Sequence, residues 1–534
     1  MDNVKELVKH KIAELCDLQV SEMDLLQVGV PKDFLGSGAD YEWLFRYFLL
    51  VDFRIIERSN SVSYRFDEAK RDNTDDYFTY AYILSHYYEI LKEICVFDSF
   101  FTSVYSNSIC VGMDNQFLKN VSELRQHEMQ EKGNKGPIIV LKGDSVCGDV
   151  LTCFSSELYG AFLDRGEPCI LINMESTEQM VISAERALRW KVLVSLNPRL
   201  VIGFHTTCFA EEMPEGMYVG NMFKSRKIQF LFDHPLILMY YGKKHIQGLT
   251  VLTLDTEYKK FIDSYMPYID ESFFLPPAGM EYPQKTVKKY ALTFIGRYYD
   301  YRKLLSSLDS LPIEEANLGL ELFEFLVNHP ESTEVNALEE IFKRRYDTKD
   351  ISLTLYRLRV ARNAANSYFR EKVVEEIVNA GIEIDVFSEG WRDAPFAHAP
   401  NLHIHDEVDY YNNIRILSES IATLNVFAGH KGGMTERVAN AALNRCLCFT
   451  DSSIYLTKNP MEGVITFSLE RIQDVPGLIM SKIFDIDVGE REDICIKAYD
   501  NAKKHHLWGN RVDFLIELLE GDADSNEQRT MEFT

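Results

Sequence analysis

A glycine-containing loop in the last third of the chain has the residue types of a phosphate site. An apolar segment at residues 424–428 predicts a strand, and residues from about 435 to 444 predict a helix. The loop between them carries His430, Lys431, Gly432 and Gly433. Glycine lets a backbone approach a ligand closely, and the first turn of a helix offers N–H groups to an anion. Arg437 adds a forked cation, so these residues predict an anion site, although the same loop also occurs in parallel α/β proteins without one.

Three side chains that can accept a proton follow predicted strands earlier in the chain. His205 ends the apolar segment at residues 200–205, and Asp233 and His234 follow the segment at residues 227–232. Ligands of parallel sheets bind beyond the carboxyl ends of the strands. We therefore interpret all three side chains as candidate catalytic bases. The alternative for Asp233 and His234 is a turn that only ends its strand.

The composition limits the classes of partner. The chain has 534 residues, enough for about three domains. Its 57 basic and 82 acidic side chains give a net charge of −25. A surface of this charge repels a phosphate backbone and anionic lipid, so we expect no general nucleic-acid binding. An anionic ligand would need a local basic pocket.

The ten cysteines and the start of the chain indicate the compartment. The cysteines are scattered and form no CxxC pair, which argues against a zinc site, and free thiols are typical of a reducing cytosol. The first residues are polar and acidic, unlike a signal peptide. No apolar segment approaches the ~20 residues that cross a bilayer. These features predict a cytoplasmic protein without a membrane span.

Hydrophobic periodicity divides the chain into four parts. Residues 1–132 have apolar side chains at helical spacing and predict an N-terminal helical domain. Residues 133–288 alternate short apolar strands with helices, which predicts a Rossmann-like domain. Residues 289–484 repeat this order with a helical insertion at about 312–380. Residues 485–534 predict closing helices and an acidic tail. The fold class is therefore α/β.

Four short elements of this chain resemble the CgeB-like (spore-maturation-type) glycosyltransferase family. The elements are residues 294–297 followed by Tyr301-Arg302, residues 386–391, residues 436–451, and residues 505–508 with Arg511. The resemblance extends over roughly residues 137–520. It implies a GT-B fold, in which two Rossmann-like domains face a cleft. It also implies transfer of a sugar from a nucleotide-diphosphate sugar to a protein or glycan acceptor, with no cofactor and without an essential metal.

The resemblance also assigns donor-binding residues by position. Gly296 and Arg297 would face the donor diphosphate. Gly390, Trp391 and the loop of residues 405–408, including Val408, would bound the nucleotide base. Each has a structural alternative, since a strand-end glycine with a surface arginine is common and a tryptophan after a strand is often core.

The last helix of the resembling region departs from the family. Glu436 would accept ribose hydroxyls or orient Arg437. The family has an acidic residue where Asn440 stands, and a small-residue turn where residues 443–445 stand. Asn440 therefore replaces the carboxylate that the resemblance would place at the ribose.

The sequence offers positive charge in place of a metal. Two DxD triplets occur, at residues 485–487 and 522–524, but the first predicts a loop or helix cap and the second lies in the polar tail. Arg297, Lys431 and Arg437 are the candidates for stabilising the leaving group. A non-catalytic nucleotide-sugar-binding scaffold is the alternative function. A dinucleotide oxidoreductase is disfavoured, because no GxGxxG follows the first predicted strand. The oligomeric state stays open.

Overall fold

The computed structural model describes residues 136–520 with short gaps. The gaps are residues 144–148, 173–181, 183–189, 191–192, 195–196, 206–207, 214–215, 242–244, 346 and 348. The predicted N-terminal helical domain and the acidic tail from residue 521 lie outside the described residues. The chain forms two compact units, the first mainly Phe154–Gln229 and the second mainly Phe230–His245 with the chain from Thr250 onwards.

The first sheet has six strands among the described residues. They are β1 (Ile138–Leu141), β2 (Cys169–Ile172), β3 (Leu200–Phe204), β4 (Arg226–Leu231), β5 (Leu249–Thr253) and β6 (Glu271–Phe274). Their order is β2-β1-β3-β4-β5-β6. β1 pairs in parallel with β2 and β3, and β5 with β6. Every residue of β1, β3 and β5 is buried, as expected for parallel strands covered on both faces.

The second sheet also has six strands in the described part of the chain. They are β7 (Tyr290–Phe294), β8 (Ile384–Phe387), β9 (Leu402–His405), β10 (Ser420–Asn425), β11 (Leu447–Asp451) and β12 (Val464–Phe467). The order β12-β11-β10-β7-β8-β9 is that of a Rossmann sheet, and all its pairs are parallel. The predicted architecture of two Rossmann-like parallel sheets is confirmed.

Helices connect these strands. Up to β7 they are α1 (Val150–Asp164), α2 (Val219–Met222) and α3 (Thr256–Tyr265), with a 3-10 segment at Pro235–Tyr241. Between β7 and β8 they are α4 (Tyr301–Ser306), α5 (Ile313–Asn328), α6 (Glu334–Arg345), α7 (Ile351–Arg357) and α8 (Arg359–Asn379). After β9 they are α9 (Tyr410–Glu419), α10 (Glu436–Leu443), α11 (Ile454–Lys458), α12 (Val475–Ile479), α13 (Val488–His505) and α14 (Trp508–Glu520). The predicted helical insertion is therefore present, as α5 to α8.

The predicted elements differ from the observed ones mainly at their ends. The sequence pattern predicts a helix at residues 256–265 and a strand at residues 402–405, and α3 and β9 have these bounds. It predicts one helix at residues 352–379, where the chain forms α7 and α8 with a break at Leu358. The strand predicted at residues 424–428 is β10, which ends at Asn425, so residues 426–428 belong to the following loop. β12 was not predicted, because this edge strand is only partly buried and has a weak apolar pattern. Asp487 caps α13, which agrees with the interpretation of residues 485–487 as a helix cap.

A buried arginine of α14 fixes the segment that connects β6 to β7. The guanidinium of Arg511 is 1% exposed, and it donates to the carbonyl oxygens of Pro276 at 2.7 Å, Pro277 at 2.8 Å and His505 at 2.8 Å. Hydrogen bonds from a charged group are among the stronger ones in proteins. The closing helix thereby holds this segment in one path.

Asn440 of α10 and Asn444, the C-cap residue of this helix, hold the same segment from another side. The Oδ1 atom of Asn440 accepts the N–H of Met280 at 2.8 Å, and that of Asn444 accepts the N–H of Tyr282 at 2.8 Å. A Cβ atom on Gly279 would lie 2.8 to 2.9 Å from the backbone of α10. Glycine is required at residue 279 because the two backbones approach so closely.

Candidate active site

The strand order of the second sheet reverses between β7 and β10. The chain leaves β7 toward β8 and β9 on one side, and later returns to β10 on the other side. The loops that follow two such strands run in opposite directions. In open parallel sheets, ligands bind in the crevice between these two loops. The two loops here are residues 295–300, after β7, and residues 426–435, after β10, which we call the β10 loop.

The turn between β5 and α3 holds the β10 loop. Asp255 is fully buried, and its carboxylate accepts the N–H groups of Glu257 at 2.7 Å and Gly432 at 2.9 Å. The hydroxyl of Tyr258 donates to the carbonyl oxygen of Gly429 at 3.2 Å. Asp255 therefore caps α3 and fixes the β10 loop with the same carboxylate.

The two adjacent glycines face this turn closely. A Cβ atom on Gly432 would lie 2.8 Å from Oδ1 of Asp255, and one on Gly433 would lie 2.8 Å from the Cα of Asp255 and inside contact distance of the Leu254 carbonyl. We expected these glycines to admit a ligand. The structure gives another reason for them, since they let the loop lie against residues 254–257.

Lys431 and Asp451 fix the other parts of the β10 loop. The Nζ atom of Lys431 donates to the carbonyl oxygen of Pro330, between α5 and α6, and burial lowers the pKa of this lysine. Asp451, at the end of β11, accepts the N–H of Phe427 at 2.8 Å. Burial raises the pKa of Asp451. The role of Lys431 in stabilising a leaving group stays a prediction, and the structure gives its ammonium group a partner within the fold.

Two of the predicted histidines are enclosed in the second unit. His430 is 4% exposed between the rings of Phe427 and Tyr258, and burial lowers its pKa to about 3. His234 is also 4% exposed, and its Nδ1 atom accepts the N–H of Leu236 at 3.1 Å. Burial likewise lowers the pKa of His234, so both rings are neutral near pH 7.

A buried carboxylate of the insertion faces His234. The Oε1 atom of Glu334 lies 3.0 Å from Nε2 of His234 and 3.6 Å from the guanidinium of Arg362, without the alignment of a hydrogen bond. Burial alone would raise the pKa of Glu334, but the neighbouring His234 and Arg362 outweigh it and lower the pKa. Of the predicted bases, His234 is thus enclosed by partners, whereas the adjacent Asp233 is exposed.

His205 belongs to the first unit and lies directly after β3. It is half-buried and has a φ of 48°, in the left-handed region that residues other than glycine rarely adopt. Its role as an alternative base stays a prediction.

The first turn of α10 has a donor without a partner. Thr435 is the N-cap residue, and its side chain makes no capping hydrogen bond. Its hydroxyl is buried and has no hydrogen-bond partner in the structure. The Nδ1 atom of His430, in the same loop, is buried and makes no hydrogen bond to the described residues, although Oδ2 of Asp255 lies 3.8 Å away. An unsatisfied buried polar group costs free energy, so the Thr435 hydroxyl is a group that a bound ligand could satisfy.

Charged side chains surround this turn. The Nη1 atom of Arg437 lies 3.5 Å from Oδ1 of Asn425, and its Nε atom lies 3.9 Å from Glu436. Burial raises the pKa of Glu436, the positive charge of Arg437 opposes this, and the negative charge of Asp233 adds to it. The predicted residues Asp233 and Arg437 therefore both lie within electrostatic reach of Glu436.

Three of the donor-binding candidates, one buried and two half-buried, pack against the loop after β7. Trp391 is fully buried, and its indole N–H donates to the carbonyl oxygen of Gly296 at 2.9 Å. A Cβ atom on Gly390 would lie 3.0 Å from the carbonyl oxygen of Tyr298. These three residues shape the loop after β7, and their contact with a nucleotide base or diphosphate stays a prediction.

Three other donor-binding candidates, Arg297, Val408 and Asn440, differ in their exposure to solvent. Arg297 is 43% exposed and pairs with Glu407, which follows β9, and this pairing raises the pKa of the arginine. Val408, beside Glu407, is half-buried. Asn440 is fully buried, and its Nδ2 atom donates to the hydroxyl of Tyr410 at 2.8 Å. The amide of Asn440 is thus occupied by the chain, although its assignment to the donor is not tested.

Asp255, Glu334, Arg370 and Asp451 were not predicted as site residues from the sequence. Asp255 had a recognisable signal, because an acidic residue directly before a predicted helix start is a usual N-cap. Asp451 likewise ends a predicted strand. Glu334 and Arg370 lie within helices of mixed polarity, where no local pattern separates an inward-facing charge from a solvated one.

No group of three His, Cys, Asp or Glu side chains among the described residues could hold a metal ion. Independence from metal stays a prediction. None of the helices in the described part of the chain has the length and apolar character needed to cross a membrane.

Comparison with known proteins gives only distant structural likeness. A sucrose-phosphate synthase from Thermosynechococcus elongatus is 8% identical, with a TM-score of 0.41 over 72% of this chain and 99% of that one. A glycosyltransferase from Rickettsia africae ESF-5 is 10% identical, with a TM-score of 0.41 over 73% and 100%. An α-glucosyltransferase in complex with UDP and a 13-mer DNA is 12% identical, with a TM-score of 0.42 over 72% and 99%. Likeness of this extent says nothing about what this chain binds. No protein-family model and no curated protein matches the chain.

Proposed function

We propose that the protein transfers a sugar from a nucleotide-diphosphate sugar to a protein or glycan acceptor. One observation carries the proposal. The first turn of α10, the guanidinium of Arg437 and the unpartnered hydroxyl of Thr435 occur together at the carboxyl end of β10, where the sheet order reverses. This combination of donors suits a diphosphate, which is both the recognised group and the leaving group of such a reaction.

The charge on the leaving diphosphate would be stabilised by side chains and helix N–H groups, so we propose that no metal ion is required. Arg437 can form two parallel hydrogen bonds to phosphate oxygens, and the dipole of α10 favours negative charge at its first turn. Glu436 lies beside it and can accept a ribose hydroxyl or orient Arg437.

Asp233 is the group that we propose for activating the acceptor. It is exposed, and it lies close enough to Glu436 for its charge to raise the pKa of that residue. An inverting transfer needs a base for the acceptor hydroxyl, whereas a retaining transfer does not. The mode of transfer therefore decides whether Asp233 is essential.

The replacement Asp233→Asn tests this assignment. We expect transfer to fall by roughly 10²- to 10⁴-fold, the usual contribution of a general base, while donor binding stays within a factor of about two. Binding is measured by calorimetry and transfer by product formation on the same preparations. Unchanged transfer would remove Asp233 as a base and favour a retaining reaction.

The replacement Arg437→Ala tests the anion site itself. We expect the affinity for UDP-, GDP- or dTDP-sugars to fall roughly tenfold to a hundredfold, because a charged hydrogen bond to phosphate is lost. Arg344→Ala, which removes the same charge from an exposed position on α6, is the matched control and should bind normally. If the wild-type protein binds none of these donors in calorimetry, the proposed function fails.

A nucleotide-sugar-binding scaffold is the second candidate. It is favoured by Asn440, whose amide is committed to Tyr410 and Met280 where the resembled family carries an acidic residue. Such a protein would bind an intact donor without turning it over and would retain a partner in a pull-down experiment. Transfer to any acceptor would exclude it.

We also propose the cytoplasm as the location of the protein. Three cysteines are buried free thiols: Cys446, directly before β11, Cys448 in β11, and Cys495 in α13. Burial raises the pKa of all three, which keeps them protonated and unreactive. This state suits a reducing compartment.

A further inference from the structure

Arg370 of α8 extends to the point where the strand order of the second sheet reverses, between β7 and β10. Its neighbour Glu371 is 1% exposed and accepts two hydrogen bonds from Arg302 at 2.9 Å and one from the hydroxyl of Tyr298 at 2.7 Å. These bonds join α8 to the loop after β7. They thereby fix the position of Arg370, the residue directly before Glu371.

The guanidinium of Arg370 bridges the two loops at the reversal. Its Nε atom donates to the carbonyl oxygen of Val426, in the β10 loop, at 3.1 Å. Its Nη1 atom lies 3.5 Å from the carbonyl oxygen of Arg297, in the loop after β7. The ring of Phe427 lies under the guanidinium at 5.4 Å. Nη2 makes no hydrogen bond to the described residues, so this side of the guanidinium can bind a ligand.

The positive charge of Arg370 is not neutralised within the described residues, where no carboxylate lies within 4.0 Å of its guanidinium. The largest charge effect on its pKa comes instead from a second cation, Arg437, and the charges of Asp451 and Asp233 oppose it. Burial, followed by the charge of Arg437, lowers the pKa of Arg370 to about 10. Two neighbouring guanidinium groups are unusual in a chain with a net charge of −25, because partly buried like charges repel unless an anion lies between them.

We propose that Arg370 is a phosphate-binding residue, which together with Arg437 holds the diphosphate across the crevice between the β7 and β10 loops. The inference rests on the proposed function for the identity of the ligand, but the anion site itself does not. With carbonyl groups on two of its nitrogens, the planar guanidinium is oriented before the ligand arrives, so little entropy is lost on binding. Lysine could supply the charge but not this fixed fork.

The test compares anions with a neutral nucleoside. Inorganic pyrophosphate, UDP and uridine are titrated by calorimetry into wild-type protein, Arg370→Gln and Arg370→Lys. We expect Arg370→Gln to weaken pyrophosphate and UDP by roughly tenfold to a hundredfold and to leave uridine within twofold. Arg370→Lys, which keeps the charge, should recover part of the affinity.

The matched control is Arg359→Gln on the same helix. Arg359 also donates to a backbone carbonyl, that of Tyr356 at 2.9 Å, and also lies over an aromatic ring, but it is exposed. It should bind all three probes as the wild-type protein does.

The outcomes separate the two proposals. Equal loss of UDP and uridine in Arg370→Gln, or no loss of pyrophosphate, would overturn the role of Arg370. If wild-type protein binds pyrophosphate through Arg370 but binds no nucleotide sugar, the anion site stands and the proposed function fails. If nucleotide sugars bind to Arg370→Gln as tightly as to the wild type, the function stands and this inference fails.

Discussion

Replacing Gly433 with alanine is expected to destabilise the protein by about 3 kcal/mol or more and to weaken anion binding. The new methyl group would meet the backbone of Leu254 and Asp255, which has no side-chain freedom to move away. Overpacking typically costs 1–3 kcal/mol, and a collision with backbone belongs at the upper end. The β10 loop would have to move, and the Asp255 contact to Gly432 would be lost with it.

The matched control is Gly477→Ala in α12. Nothing lies within 4 Å of a Cβ atom at this position, and alanine is the better helix former by roughly 0.5–1 kcal/mol. Denaturant unfolding of both variants gives the comparison, and titration with pyrophosphate gives the effect on the site. If Gly433→Ala were as stable as the wild-type protein, the close packing of the β10 loop on residues 254–257 would be wrong.

Acidification is expected to destabilise the protein through its buried histidines. Burial lowers the pKa of His430 and of His506 to about 3, against about 6.5 in an unfolded chain, and lowers that of His234. Below pH 6.5 each of these imidazoles binds a proton in the unfolded state but not in the folded state. Each histidine with a folded pKa near 3 then removes about 1.4 kcal/mol of stability per pH unit as the pH falls.

Asp255 has the opposite effect on the change of stability with pH. Burial raises its pKa to about 7, so in the same range the folded state holds the extra proton and gains stability as the pH falls. The informative quantity is therefore a difference between two proteins. We expect the free energy of unfolding of His430→Gln to fall less steeply between pH 6.5 and 4.5 than that of the wild type, by about 1.4 kcal/mol per unit. His398→Gln, at an exposed position, should follow the wild type. Equal slopes in all three proteins would contradict a neutral, buried His430.

The sheets could be predicted from sequence because they depend on local pattern. Alternation of apolar and polar side chains gave β9 to the residue, and helical spacing gave α3. Burial on both faces of a parallel strand leaves a continuous apolar run, which marked strands such as β1 and β3. The edge strand β12 lacks this signal. Residues 1–132, predicted as helical, lie outside what the structure describes.

The candidate site was only partly predictable, because its contacts join distant parts of the chain. The approach of Gly432 and Gly433 to a ligand stays a prediction, and the observed partner of Gly432 is a turn 177 residues earlier, which no local pattern reveals. Trp391 and Asn440 were assigned by resemblance, and both are fully buried. Arg370 carried no signal at all, since its partners lie on two other loops.

The side-chain amide of Asn440 connects α10 to the segment after β6 and to Tyr410. One atom holds the segment after β6, and the other holds Tyr410, while Glu436 and Arg437 lie one turn earlier on the same face of α10. A carboxylate at this position could still accept the N–H of Met280 but would have no proton to donate to Tyr410. A displacement of the segment after β6 would therefore also move the first turn of α10. A variant could thus lose affinity for an anion although every side chain that touches the anion is intact.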